Sequence, residues 1–113
     1  MSYDELPIYR DTHALLIRVS QLARNLEDDE SRGDFQSLKD ELVAALTCFF
    51  RASERPGSAA RPLDEAACHL FAAKVRIRVL QETRALPRYI GTQLCASLSS
   101  ILEKLQEQPG NER

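Results

Sequence analysis

The chain has 113 residues, of which 43% are hydrophobic and 28% charged, a balance that suits one globular domain and excludes a disordered protein, while four glycines and five prolines are too few for a loop-rich fold. No apolar run approaches the ~18 residues of a membrane span, and Met1-Ser2-Tyr3-Asp4-Glu5 has no basic region leading into an apolar stretch, so a soluble cytoplasmic protein off the membrane is expected. The net charge of −2 divides unevenly, with six Lys/Arg against ten Asp/Glu in residues 1–53 and nine against seven in residues 54–113, so the chain as a whole does not advertise a polyanion partner and only one segment, 74–88, has that character.

The first predicted helix covers about residues 6–27. Ile8, Leu15, Leu16, Val19, Leu22, Ala23 and Leu26 recur at steps of three and four, and Pro7 suits a first turn, where its missing N–H costs nothing. The polar run from Glu27 to Gly33 then reads as a solvated turn, with Ser31 or Asp34 available to cap the second helix. That helix is expected over 34–53, burying Phe35, Leu38, Leu42, Leu46, Phe49 and Phe50, with Val43 and Ala45 widening the stripe. A loop over 54–61 precedes the third helix, which is expected over 62–86 with Pro62 at its first position and Asp64 and Glu65 in its first turn.

The third segment is the least simple. Lys74-Val75-Arg76-Ile77-Arg78-Val79 alternates as a strand would, but helix formers flank it and no turn residue interrupts it, so it reads as helix. At ~100° per residue, Val75, Ile77, Val79 and Leu80 cannot share one face. Some of that apolar surface must be covered by something beyond the helix's own neighbours, or the helix must sit centrally. Leu86-Pro87 breaks the chain. The fourth helix comes next over 88–108, with Tyr89, Leu94, Leu98, Ile101, Leu102 and Leu105 on its stripe and Pro109-Gly110 ending it. Short turns between helices of similar length predict an all-α, antiparallel up-down-up-down four-helix bundle that forms a single domain.

Catalytic signatures are absent from the sequence. Cys48, Cys68 and Cys95 are odd in number and widely spaced, which suits reduced thiols buried as small hydrophobes. His13, His69 and the cysteines match no zinc spacing. Glu65 and His69 lie four apart and read as an exposed polar pair rather than two metal ligands. Cys68 and His69 are adjacent, so on a helix their side chains diverge by ~100° and cannot pair as nucleophile and base. His13 reads as partly exposed. No glycine-rich phosphate loop occurs, since Gly33, Gly57, Gly91 and Gly110 are isolated. The expectation is a non-enzymatic protein with no metal and no cofactor; a small enzyme using Cys68 or His69 is the distant option.

One basic segment stands out. Within residues 74–88, Lys74, Arg76, Arg78, Arg84 and Arg88 face only Glu82. Guanidinium groups suit phosphates as charge-assisted donors in fork geometry, and repetition of the cluster in a symmetric oligomer would multiply its field. The plain reading is a solvated helix face whose long stems cover apolar surface.

Leu6-Pro7-Ile8-Tyr9-Arg10-Asp11-Thr12 resembles the opening of the accessory variability determinant (Avd)-like four-helix proteins, which accompany the reverse transcriptase of diversity-generating retroelements and are related to four-helix proteins of ribosomal RNA intervening sequences. Arg76-Ile77-Arg78-Val79-Leu80, Arg84-Ala85-Leu86 and the helix carrying Tyr89, Leu98, Ile101, Leu102 and Leu105 extend the resemblance over roughly residues 6–106. It implies a ring of five bundles with a basic surface that binds the reverse transcriptase and RNA or DNA. Lys74, Arg76, Arg78, Arg84 and Arg88 match the basic third-helix region. The alternative, favoured by the acidic pI of 5.7, is an oligomeric protein-interaction module that never touches nucleic acid.

Overall fold

The computed structural model describes residues 6–24, 26 and 28–107. Among them are four α-helices and no strand: α1 Pro7–Ala23, α2 Asp29–Glu54, α3 Ala60–Glu82 and α4 Arg88–Gln106, with a short 3-10 turn at Pro56–Ser58. They pack in a closed cycle, α1 on α2, α2 on α3, α3 on α4 and α4 on α1, in a body of 45 × 19 × 19 Å. The α2/α3 contact is the most extensive, because these are the longest helices, at 26 and 23 residues.

Pro7 opens α1 as expected. The expected ends of the first and fourth helices, Glu27 and Gln108, lie outside the described residues, as does Pro109-Gly110. The start of α2 corrects the expectation of a turn through Gly33. The cap is Asp28, whose carboxylate accepts the Ser31 N–H at 2.8 Å, so neither Ser31 nor Asp34 serves. Asp29 and Glu30 then occupy the first turn, where the helix dipole favours negative charge. This extra turn has no apolar residue because it projects past the core. In α3, Ala60 rather than Pro62 comes first, and Pro62 is third, still among the N–H groups that lack an intrahelical partner. Asp64 and Glu65 fall beyond the first turn.

α3 also ends four residues before the expected Leu86. Thr83 is its C-cap, and Arg84 turns into the left-handed region at φ 64°. The Arg84 N–H donates to the Gln81 carbonyl at 3.1 Å and the Ala85 N–H to the Leu80 carbonyl at 2.9 Å. Together these form the paired closure of a Schellman motif. Leu86, just beyond, is buried beside Leu80 in the core.

The core joins Ile8, Leu15 and Val19 of α1 to Phe35, Leu38, Leu42 and Phe49 of α2, Leu70, Ala73, Ile77 and Leu80 of α3, and Leu94, Leu98, Ile101 and Leu105 of α4. Each large side chain withdrawn from water contributes about 1.5–3 kcal/mol before the entropic cost. Thr12 is the one buried polar side chain among the described residues, and its hydroxyl donates to the Ile8 carbonyl at 2.7 Å.

Three residues expected in the core lie outside it. Val43 and Phe50 of α2 and Tyr89 of α4 are exposed. Tyr89 precedes Leu94 by five residues, about 140° away around the helix. The cysteines are free, but only Cys48 is buried; Cys95 is half-buried and Cys68 exposed.

α3 turns Ile77 and Leu80 inward but leaves Phe71, Val75 and Val79 at 55, 61 and 42% exposure. These lie at i, i+4 and i+8, with Cys68 on the same face, diametrically opposite the buried side. The helix is therefore not central. Its second apolar face has no cover within the described chain.

Candidate nucleic-acid interface

α3 separates the basic residues by rotation. Arg76 and Arg78 differ by ~200° around the axis, and they accordingly meet different neighbours. The Arg76 Nε donates to Glu41 Oε2 on α2 at 3.2 Å, while Glu41 Oε1 lies 2.9 Å from His69 Nδ1. Burial pushes the Glu41 carboxyl up, but the hydrogen bonds and charges of His69 and Arg76 taken together outweigh it, so its pKa lies below the ordinary value. Arg76 is thus engaged in a cross-helix ion pair. His69 pairs with Glu41 rather than Glu65, correcting the i,i+4 expectation; Glu65 instead meets Arg51 at 2.9 Å and Arg61 at 3.6 Å.

On the other flank, Lys74 Nζ donates to Ser99 Oγ of α4 at 3.0 Å, tying the two helices together. Arg78 and Arg88 line a cavity of about 400 Å³ between α3 and α4, together with Gln81, Glu82, Thr92 and Cys95. Arg84 stands in the turn joining the helices. Among the described residues no carboxylate forms an ion pair with Arg78, Arg84 or Arg88. The structure therefore gathers Arg78 and Arg88 on one cavity, puts Arg84 in the adjoining turn and Lys74 one helical turn before Arg78, and sets Arg76 apart.

A close helix crossing shapes this corner. The Gln81 side chain lies over Gly91 and its Nε2 donates to the Arg88 carbonyl at 3.0 Å. A Cβ on Gly91 would fall 2.2 Å from that nitrogen. An isolated glycine inside a helical pattern is the sequence signal for such an approach. The Glu41 contacts have no local signal, because His69 and Arg76 lie on another helix.

A cavity of about 490 Å³ between α1 and α4 is less open to a ligand's charge. Its Asp11 accepts from Lys104 at 2.6 Å, and its Arg18 donates to Gln93 at 2.5 Å. His13 is exposed and stacks on Tyr9 with ring centroids 6.1 Å apart. Burial pushes the Cys48 thiol up, and Glu65 adds to the effect. Among the described residues no three His, Cys, Asp or Glu side chains gather where a metal could bind, and no helix is long and apolar enough to cross a membrane.

No family model matches the chain, and neither the search of curated proteins nor that of solved structures returns a match.

Proposed function

We propose that this protein is a non-enzymatic, self-associating scaffold that holds RNA or DNA on its α3–α4 corner, working in the cytoplasm as an accessory to a reverse transcriptase. The observation that carries the nucleic-acid part is the guanidinium set at Arg78, Arg84 and Arg88, which no carboxylate among the described residues pairs, two of them on one cavity. The reverse-transcriptase partner and a ring of five rest on the sequence resemblance to the Avd-like proteins. Self-association has its own support in the uncovered Phe71, Val75 and Val79 face of α3. The short connections and the closed cycle of helix contacts support an antiparallel up-down-up-down course, which brings the two ends of α3 and α4 together as the corner requires. Several copies in a closed ring would repeat the corner and build a basic zone despite a net charge of −2 per chain.

Binding of this kind is non-specific and weakens steeply with salt, because neutralised phosphates release counterions. Reversal of Arg78 and Arg84 to glutamate abolishes it while the helical circular dichroism is retained, and Arg76→Glu has a smaller direct effect because Arg76 is engaged with Glu41. The measurement is retention of single-stranded RNA and duplex DNA at low salt. A chain that assembles but binds neither favours the second reading, a protein-interaction module, whose own support is the same apolar face of α3.

A further inference from the structure

Among the described residues Tyr89 is the most exposed large hydrophobic side chain, at 67%. It sits in the first turn of α4, directly after Arg88, and five residues from Arg84 in the turn between the helices. Arg88 lines the cavity that also holds Arg78 and the Thr92 side chain. The turn of α4 that carries Arg88 into the cavity also carries Tyr89, three residues before the cavity's Thr92 and so on a neighbouring face of the helix, with Arg84 in the turn just before it.

The geometry points to single-stranded nucleic acid as the ligand of this corner, with the arginines on successive phosphates and the Tyr89 ring as a platform for an unpaired base. This rests on the nucleic-acid reading above and narrows it. Each corner supplies three guanidinium groups, with Glu82 on the cavity wall opposing them, and since phosphates are common to strand and duplex, the ring rather than the charge selects between them. A duplex also hides the base faces in its own stack, so it leaves Tyr89 nothing to cover. A single strand presents a π-face with every nucleotide, and stacking on an aromatic side chain tolerates any base.

The test compares an oligouridylate of about a dozen nucleotides with a duplex of the same length, by fluorescence anisotropy at low salt, on the full chain. Tyr89→Ala weakens single-strand binding roughly tenfold, leaves duplex binding unchanged, and Tyr89→Phe restores the single-strand affinity. The chain has three tyrosines and no tryptophan, so stacking also quenches tyrosine emission, and the quench is lost in Tyr89→Ala. Because Tyr89 lies outside the core, these variants fold. If Tyr89→Ala changes nothing while Arg78→Glu abolishes binding, the stacking site is wrong and the nucleic-acid reading stands. If Tyr89→Ala weakens both ligands alike, the ring does not select single strands and the inference is overturned. If neither ligand binds the unaltered chain, both readings fall together.

Discussion

Arg84→Gly tests the backbone reading of the α3–α4 turn and separates conformation from charge. Arg84 is the non-glycine residue with positive φ among those described, at 64°, and the motif it closes is one in which glycine is the usual occupant. Holding an L-residue there costs about 1–2 kcal/mol, since Cβ crowds the following carbonyl. Glycine removes that cost but loses about 0.5–1 kcal/mol more conformational entropy on folding. The net expectation is a gain of about 0.5–1 kcal/mol. For a chain of this size that raises the midpoint of thermal unfolding by roughly 2–6 °C at fixed protein concentration. Arg84→Ala is the control, because alanine keeps the Cβ and hence the strain, and its midpoint stays near that of the unaltered chain. Nucleic-acid affinity falls in both variants, with a salt slope shallower by about 1. Arg84→Gly that is no more stable than Arg84→Ala would refute the left-handed assignment.

Three other outcomes are fixed by the geometry. Glu41→Gln lowers stability by about 1–2 kcal/mol near neutral pH, because the amide keeps one acceptor oxygen but loses the charge and turns an NH2 toward the other of His69 and Arg76. A carboxyl whose folded pKa is depressed contributes stability that is full above the ordinary glutamate value of about 4.3 and is lost as pH falls below it. Denaturant titrations between about pH 6 and pH 3 therefore show a shallower acid decline in Glu41→Gln than in the unaltered chain. Gly91→Ala displaces Gln81 from the Arg88 carbonyl at a cost of about 1 kcal/mol, whereas in a Gln81→Ala background the same change is neutral or stabilising, as a helical Gly→Ala replacement should be; a double-mutant cycle by urea unfolding reads the difference. Alkylation followed by mass spectrometry modifies Cys68 first, Cys95 more slowly and Cys48 only on unfolding, and Cys68 becomes protected as protein concentration rises, because it shares the α3 face with Phe71, Val75 and Val79.

Much of this architecture is visible in the residues, and the failures are physical. Helical periodicity marks all four helices because a three-to-four spacing is imposed by a one-sided core. The first turn of α2 escapes it, since Asp29, Glu30 and Arg32 project past that core and carry no apolar signal. The α3 strand-like alternation has its explanation in two apolar faces on one helix: Ile77 and Leu80 point in, Val75 and Val79 point out. Periodicity reveals that both faces are apolar but not which of them the chain itself covers. The same ambiguity makes Val43, Phe50 and Tyr89 read as core residues in the sequence. The separation of Arg76 from Arg78 is legible from their angle on a helix, but the Glu41 that engages Arg76 lies 35 residues away. That pairing belongs to the tertiary contact of α2 with α3.

The most direct test of the account is light scattering in line with size exclusion, at low salt, with and without a short single-stranded RNA. The expected particle has a mass that is a multiple of the 12.8 kDa chain and carries RNA with it. Val75→Asp, placing a charge on the outward face of α3, reduces the particle to a single chain with the same helical content. A monomeric unaltered chain that leaves the RNA unbound would contradict both the assembly and the function proposed for it.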